Sequence, residues 1–311
     1  MTEMRDHGGG LDAAIAQYGG TRDGWLDLST GINPVPYPMP QLTADAWTAL
    51  PDHGSFALLE ARARAFWKVP KSAAIVIAPG ASSIIAQLPH HRSASTVAIP
   101  APTYNEHAAA FRNANWDIKE ASDDAIVAVH PNNPDGKLWN EADLDAPLTI
   151  IDESFCDVTP DASLIHLADR PGTVVLKSFG KFWGLAGLRL GFAIGDPDII
   201  NGLRETLGPW QVSGPALQIG AEALADPTWT DETRIRLTAD AAQLDSLMDK
   251  QGAKLVGGTT LFRLYQVQDA KAAQDHLAQN HVLSRTFPYS NDWLRLGMPH
   301  PARWSQLTGA F

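Results

Sequence analysis

The most informative segment of the sequence is Leu176-Lys177-Ser178-Phe179-Gly180-Lys181-Phe182-Trp183-Gly184-Leu185-Ala186-Gly187-Leu188-Arg189-Leu190-Gly191. It begins as an apolar strand that ends at Ser178, places Lys181 three residues later, and reaches Arg189 after a glycine-rich turn. A lysine near aromatic side chains can be desolvated, and its free amine is then a nucleophile. Serine, lysine and arginine so close together can also hold a phosphate group. The alternative is that Lys181 is an ordinary solvated lysine in a surface loop.

Short apolar runs flank this stretch and alternate with helical patterns. The strand candidates are 73–78, 96–99, 125–129, 148–151, 173–176 and 190–194. These runs are continuously apolar, which is typical of a mostly parallel sheet covered by helices on both faces. The sequence therefore predicts an α/β fold built on such a sheet.

The pattern changes after Asp196. Helices are predicted at 197–207, 215–224, 231–250, 270–279 and from 303 onward, and strands at 261–267 and near 282 and 293. This order favours a second, smaller α+β domain. We expect residues 1–50 to join the small domain, 51–208 to form the large α/β domain, and 209–311 to form the small C-terminal domain.

Composition excludes several classes of protein. The 311 residues hold 24 Lys+Arg against 35 Asp+Glu, a net charge of -11, which argues against non-specific nucleic-acid binding. The single cysteine, Cys156, excludes an intramolecular disulfide and a Cys-based zinc site, and we interpret it as a packed thiol. The sequence shows neither a signal peptide nor an apolar run of ~20 residues, so we expect a cytoplasmic protein without membrane contact.

Three further polar segments each follow a predicted strand, at the sheet edge where open α/β folds bind ligands. Gly80 precedes a helix and could present N–H groups to an anion, although a simple helix cap is the commoner explanation. The Asn132-Asn133 turn is either a plain loop or a source of amide donors. Asp152 and Glu153 are a solvated strand end, a metal-ligand pair lacking its histidine, or functional carboxylates with buried partners.

Together these motifs resemble those of the fold-type I pyridoxal-phosphate enzymes of the class I/II aminotransferase superfamily. The likeness covers 7–9, 26–34, 132–136, 152–155, 178–191, 209–212 and 293–296. The lysine segment and the Asp-Glu strand end are the superfamily's specific marks. The opening His7-Gly8-Gly9 and the Ile32-Asn33-Pro34 turn point to the threonine-phosphate decarboxylase branch, with histidinol-phosphate aminotransferases more distant.

The resemblance implies a pyridoxal 5′-phosphate cofactor and no metal. Lys181 would bind the cofactor covalently, Asp152 would pair with its pyridine nitrogen, and Asn133 would hydrogen-bond its ring hydroxyl. Tyr104 would act beside them by stacking on the pyridine face. The cofactor phosphate would be held by Gly80, Ala81, Ser82, Ser178 and Arg189.

The substrate implied by the resemblance is a small phosphorylated amino acid. Arg295 would bind its carboxylate. The substrate phosphate would lie near the N-terminal segment, at His7, Gly8, Gly9 and Asn33.

Three positions depart from the superfamily's pattern. Phe155 stands where many aminotransferases have a tyrosine that contacts the cofactor hydroxyl, and this suits the decarboxylase branch. Asp135 replaces the usual threonine of the turn and also favours turns. Leu50 stands where relatives have a tyrosine that reaches the neighbouring subunit's cofactor. A homodimer is expected from the resemblance, without that contact.

The resemblance implies decarboxylation of L-threonine O-3-phosphate in cobalamin biosynthesis, with Lys181 as proton donor. An aminotransferase acting on a substrate such as histidinol phosphate is the alternative, since the two reactions differ by which bond at Cα breaks. A catalytically inactive regulator is a third hypothesis, which the intact Lys181, Asp152, Asn133 and Arg189 argue against.

Overall fold

The computed structural model describes residues 7–311, which divide into two compact units. The larger unit consists of Tyr37–Asn133 and Lys137–Asp231. The smaller unit consists of the described residues up to Pro36, together with Pro134–Gly136 and Glu232–Phe311.

The strands of the described chain are β1 (Leu26–Asp27), β2 (Ala74–Ala78), β3 (Thr96–Ala98), β4 (Asp117–Lys119), β5 (Ala125–Val129), β6 (Leu148–Asp152), β7 (Thr173–Ser178), β8 (Gly191–Gly195), β9 (Lys254–Thr259), β10 (Phe262–Gln266), β11 (Val282–Leu283), β12 (Arg285–Phe287) and β13 (Ser290–Gly297). The α-helices are α1 (Leu11–Tyr18), α2 (Ala44–Thr48), α3 (His53–Phe66), α4 (Ala81–Gln87), α5 (Asn105–Asn113), α6 (Pro197–Leu207), α7 (Gly214–Ala223), α8 (Pro227–Lys250), α9 (Ala270–Gln279) and α10 (Trp304–Thr308).

Short 3₁₀ turns connect several of these elements. They are Arg22–Gly24, Leu88–His91, Glu141–Asp143, Cys156–Val158, Pro160–Ala162, Ile165–Asp169, Ala186–Leu188 and Pro301–Arg303.

Helix starts follow from local side-chain chemistry. The Asp196 carboxylate accepts from the N–H groups of Asp198 and Ile199, and Pro197 takes the first helical position, where an N–H is not needed. Asp52, Ser213 and Asp269 cap α3, α7 and α9 in the same way.

The larger unit contains a seven-stranded sheet in the order β2-β8-β7-β6-β5-β3-β4. All neighbouring pairs are parallel except those of β8, which runs antiparallel to both β2 and β7. Apolar side chains of the strands and of α4, α5 and α6 form its core. The predicted mostly parallel sheet is confirmed, and its inner strands are largely apolar because both faces are covered.

This strand order brings the polar segments to one sheet edge. The carboxyl ends of β2, β3, β5, β6 and β7 lie together because these strands share a direction. The antiparallel β8 adds the residues before its start, since Gly191 pairs with both Ala78 and Ser178. Arg189 therefore reaches the same edge as the residues that follow the parallel strands.

The smaller unit has a four-stranded antiparallel sheet in the order β12-β13-β10-β9, with a two-stranded parallel pair, β1 and β11. Helix α9 packs on β13. Leu11, Ala14, Trp25 and Ala278 form a buried apolar cluster in this unit. The result is the α+β arrangement that the sequence predicts, although β1 and β9 were not predicted.

The division of the chain differs from the predicted boundaries at 50/51 and 208/209. Residues 37–50 and 209–231 group with the larger unit. Helix α7 explains the second difference, because it packs against α2 and α3, and a Cβ on Gly214 would lie 2.2 Å from the Ala46 carbonyl oxygen. Tyr37 explains the first, since its N–H donates to the Trp183 carbonyl at 2.9 Å.

Within residues 7–311, none of the helices combines the length and the apolar character needed to cross a membrane.

A close backbone approach at the sheet edge gives a test of the fold. A Cβ on Gly191 would lie 2.4 Å from the Ala81 nitrogen, and backbone cannot move aside cheaply. We expect Gly191→Ala to lower the free energy of unfolding by about 1–3 kcal/mol, measured by urea denaturation. Gly187→Ala is the matched control because a Cβ there meets nothing within 4 Å. Equal stability of the two variants would contradict this packing.

Candidate active site

A cleft at the carboxyl edge of the large sheet collects the predicted polar residues of the larger unit. Its lining includes Ala81, Ser82, Tyr104, Asn133, Asp152, Ser154, Phe155, Ser178, Lys181 and Arg189. Lys181 and Asp152 thus share one cavity, although Asp152 ends β6 and Lys181 lies in the turn after β7. Gly80 lies directly against the Arg189 guanidinium at the rim of the cleft.

Asp152 is the most deeply buried acid of the cleft, with 2% of its surface exposed. One carboxylate oxygen lies 2.9 Å from His107 Nε2. The other accepts the Ser154 hydroxyl at 2.5 Å and the Ser154 N–H at 2.9 Å. Burial raises the pKa of Asp152, but the hydrogen bond and charge of His107 and the Ser154 bonds outweigh it, so the pKa lies below its ordinary value.

Lys181 lies in a tight turn after β7. Its carbonyl accepts the Gly184 N–H at 3.1 Å, while the Leu185 N–H returns to the Phe179 carbonyl at 3.1 Å. The Lys181 amine is 5.2 Å from the centre of the Phe155 ring. The lysine is therefore neither the solvated surface residue of the alternative interpretation nor fully buried, and its amine faces an apolar ring.

The rim of the cleft offers a cationic cradle. Gly80 has φ +85°, and a Cβ there would lie 2.5 Å from the Arg189 guanidinium. Glycine is required at this position both for its backbone conformation and for the close approach of Arg189. Ser178 Oγ accepts the Gly180 N–H at 3.2 Å, which leaves its own proton available to a ligand.

The two asparagines after β5 have different roles. Asn132 is buried and ties two loops, accepting the Thr103 hydroxyl at 2.6 Å and donating to the Pro102 carbonyl at 3.0 Å. Asn133 lines the cleft. Tyr104 also lines it, with its ring edge-on to His107 at 6.1 Å between centroids.

Glu153 has a different partner from Asp152, and the metal interpretation is not supported. His130, Glu153 and Cys156 place possible ligand atoms within 4.8 Å of one another. However, His130 already accepts the Trp139 N–H at 3.0 Å and bonds the Ala162 carbonyl at 2.7 Å. Glu153 binds the Lys177 ammonium at 2.5 Å, so a side-chain cation already occupies this place.

Cys156 is buried and has no catalytic environment. Burial has the largest effect on the pKa of its thiol, and together with the nearby Glu153 carboxylate it raises this pKa far above the ordinary value. The packed-thiol interpretation agrees with this environment.

In the smaller unit, Arg295 on β13 is 5% exposed and donates to the Ser29 carbonyl at 2.7 Å. Burial and the neighbouring Arg285 lower its pKa to about 10. Two adjacent guanidinium groups, one of them buried, are an environment suited to an anion.

The predicted N-terminal residues lie in this same unit. His7, Gly8 and Gly9 line a cavity together with Ser29 and Arg285, and the Gly9 N–H donates to Ser29 Oγ at 2.7 Å. Asn33 lies apart from that lining. Its carbonyl oxygen accepts from Arg236 at 2.6 Å and from the Val35 N–H at 3.1 Å.

Sequence reasoning missed His107, Ser154 and Arg285. His107 follows Tyr104 by three residues at the start of α5, and residues at that spacing lie on one helix face. That spacing was a usable signal for His107. No comparable signal identified Arg285, whose relevance depends on strand pairing, since β12 places it opposite Arg295.

The cleft fits the cofactor that the sequence predicts. The ionised, buried carboxylate of Asp152 could form an ion pair with the protonated ring nitrogen of the cofactor. The half-buried amine of Lys181 could react with the cofactor aldehyde. The Gly80–Arg189 cradle with Ser178 matches a phosphate. A mostly parallel sheet with this lysine, carboxylate and cradle at its carboxyl edge defines a fold-type I pyridoxal-phosphate enzyme.

The comparisons with known proteins assign the family. Residues 39–305 match the family Aminotransferase class I and II. The chain belongs to this family, and the predicted family, fold class and pyridoxal-phosphate cofactor of the family are confirmed.

Two curated relatives match nearly the whole chain. The threonine-phosphate decarboxylase of Pseudomonas aeruginosa is 36% identical, over 99% of this chain and 97% of its own length. That of a Sinorhizobium species is 37% identical, over 94% of this chain and 92% of its own length. Among solved structures, histidinol-phosphate aminotransferase from Sinorhizobium meliloti, in complex with pyridoxal-5′-phosphate, has a TM-score of 0.85 and 18% identity. It covers 99% of this chain and 94% of its own, and it shows likeness of fold.

The His107–Asp152 pair yields a pH-dependent prediction. Because the pKa of Asp152 lies below its unfolded value of about 3.9, its stabilising effect is present above that pH and is lost as the pH falls through the folded-state pKa. We expect His107→Phe to lower the free energy of unfolding by about 1.5–3 kcal/mol near pH 7, with the deficit shrinking below about pH 4.

Urea denaturation across this pH range measures the effect. His107→Gln keeps a donor near the carboxylate and should lose less stability. A deficit of the same size at every pH would show that His107 does not act on the Asp152 charge.

Proposed function

We propose that this chain is a pyridoxal-phosphate-dependent carboxy-lyase that converts L-threonine O-3-phosphate to (R)-1-amino-2-propanol O-phosphate and CO₂, a step of cobalamin biosynthesis in the cytoplasm. The observation that carries the proposal is near full-length similarity to two threonine-phosphate decarboxylases in a chain whose cleft joins Lys181 and Asp152.

The residues of the cleft support defined roles. Lys181 would hold the cofactor through its amine, and Asp152, kept ionised by His107 and Ser154, would hold a proton on the ring nitrogen. Tyr104 would cover the ring, Asn133 would bond its hydroxyl, and the cradle of Gly80, Ala81, Ser82, Ser178 and Arg189 would bind its phosphate.

When bound, the cofactor acts as an electron sink for the bond that breaks at the substrate Cα. Arg295 would bind the substrate carboxylate and orient it, and the adjacent Arg285 adds positive charge. The bond between Cα and the carboxyl carbon breaks and CO₂ leaves. Lys181, with its amine free again, would deliver one proton from Nζ to Cα in place of the lost carboxyl group.

The substrate phosphate needs a separate anion site. A cavity of the smaller unit supports a phosphate site, and it is lined by His7, Gly8, Gly9, Ser29 and Arg285. Backbone N–H groups and a guanidinium can donate hydrogen bonds to a phosphate. Asn33 would contribute indirectly, because its side-chain carbonyl already accepts a hydrogen bond from Arg236.

A CO₂ assay with L-threonine O-3-phosphate tests the reaction. We expect CO₂ release and the absorbance band of a lysine-bound cofactor in the wild type. Lys181→Ala should abolish the band and lower the rate at least 10²-fold, as expected for loss of a general acid. Lys71→Ala, an exposed lysine of the same unit, should change neither. Glutamate formation from 2-oxoglutarate without CO₂ would replace the lyase by an aminotransferase.

We also propose that the protein is a homodimer. Large apolar side chains of the larger unit are strongly exposed: Met39 60%, Trp47 69%, Leu50 67%, Leu58 52% and Trp210 55%. Trp210 lines one groove, Leu50 and Leu58 line a second, and the two grooves share Pro51 and Asp52. Several large apolar side chains exposed in one unit are typical of an interface between subunits.

Sedimentation velocity tests the dimer. The double variant Trp47→Glu/Leu50→Glu should shift the protein from dimer to monomer, because it places charge in an apolar interface. Ile235→Glu is the control, since Ile235 is 73% exposed but lies in the smaller unit. A wild-type protein that sediments as a monomer at micromolar concentration would rule out the stable dimer.

A further inference from the structure

A buried charge cluster lies beside the cleft, and the proposed reaction does not use it. It consists of Glu153, Asp157 and Lys177, exposed by 1%, 4% and 1%. The Lys177 ammonium lies 2.5 Å from a Glu153 oxygen and 3.7 Å from an Asp157 oxygen. None of the three is among the residues that line the cleft.

Asp157 is held from two sides by indole donors. Trp67 Nε1 donates to one carboxylate oxygen at 2.9 Å, and Trp183 Nε1 donates to the other at 3.0 Å. Lys177 supplies the positive charge that a buried carboxylate requires. Asp157 therefore fixes the position of the Trp183 indole through a charge-assisted hydrogen bond.

Trp183 lies two residues after Lys181 in the same turn. The turn is closed by the Gly184 N–H, which donates to the Lys181 carbonyl at 3.1 Å. The Trp183 side chain is fully buried, stacked between Phe179 and Trp229 at 4.9 and 5.4 Å. Its position sets the path of the backbone that carries the Lys181 amine.

At the other end of the cluster, Glu153 directly follows Asp152, the last residue of β6. Successive side chains of a strand point to opposite faces, so Asp152 lines the cleft while Glu153 points away from it. The same alternation separates Ser178 from Lys177. The bond between Lys177 and Glu153 therefore ties the ends of β6 and β7 together behind the site.

We propose that Asp157 is a positioning residue, which holds Lys181 in register with Asp152 by anchoring the Trp183 indole to the Lys177–Glu153 pair. Buried ion pairs are often replaceable by apolar residues without loss of stability, so stability alone does not account for three charges here. What a charged cluster adds to an apolar core is a defined orientation of its members. This inference rests on the proposed cofactor and its lysine.

The experiment compares holoenzyme variants by the absorbance of the bound cofactor. Trp183→Phe removes the indole donor. Asp157→Asn removes the charge, and its amide can accept only one of the two indole N–H groups. Trp116→Phe is the matched control, because Trp116 also donates one buried hydrogen bond, to the Pro89 carbonyl at 3.0 Å, but precedes the edge strand β4.

We expect cofactor dissociation constants about tenfold higher for Trp183→Phe and Asp157→Asn, the fold-change for one charge-assisted hydrogen bond. The pH midpoint of the cofactor absorbance should shift in both variants. Trp116→Phe should lose thermal stability while keeping the wild-type affinity and midpoint. If Asp157→Asn does not fold, the affinity and pH midpoint of Trp183→Phe are compared with those of Trp116→Phe.

The inference is overturned if Trp183→Phe binds the cofactor with the same affinity and pH midpoint as Trp116→Phe. A wild-type protein without any cofactor band would instead overturn the proposed function. The two failures are therefore distinguishable.

Discussion

The site depends on one constraint, a carboxylate buried at the end of β6 that must remain charged. Asp152 lies where burial by itself raises the pKa of the carboxyl group. His107 and Ser154 supply the compensating hydrogen bonds, and each comes from a different part of the chain. The carboxylate can therefore stabilise a positive charge on a bound ring because its own negative charge is already secured.

The neighbouring Glu153 meets the same constraint in a different way. Strand alternation turns it away from the cleft, where a direct ion pair with Lys177 satisfies it. One pair of adjacent acids thus has two different environments, with Asp152 facing the cleft and Glu153 facing the interior. The apolar strand carries both because each has its own partner.

Much of this arrangement could be predicted from the sequence. The continuous apolar runs identified six strands of the large sheet, and polar residues after those strands marked its ligand-binding edge. The pattern could not locate β4 or β9. The short β4, Asp117–Lys119, lies at an edge with little buried surface, and β9 contains two glycines, which weaken a strand signal. The domain boundaries differed because α7 packs on α2 and α3, a contact between helices distant in the chain.

The α/β class and the family could be recognised from the sequence because strand runs and motifs are local properties, and the resemblance to the family predicted which lysine, aspartate, asparagine and arginine would form the cofactor site. Only the tertiary structure decided which groups secure those residues. His107 for Asp152, Trp67 for Asp157 and Ser29 for Arg295 are partners that lie 45, 90 and 266 residues away in the chain. Hydrogen bonds and charges act over a few ångströms in space, and distance along the sequence does not fix that separation.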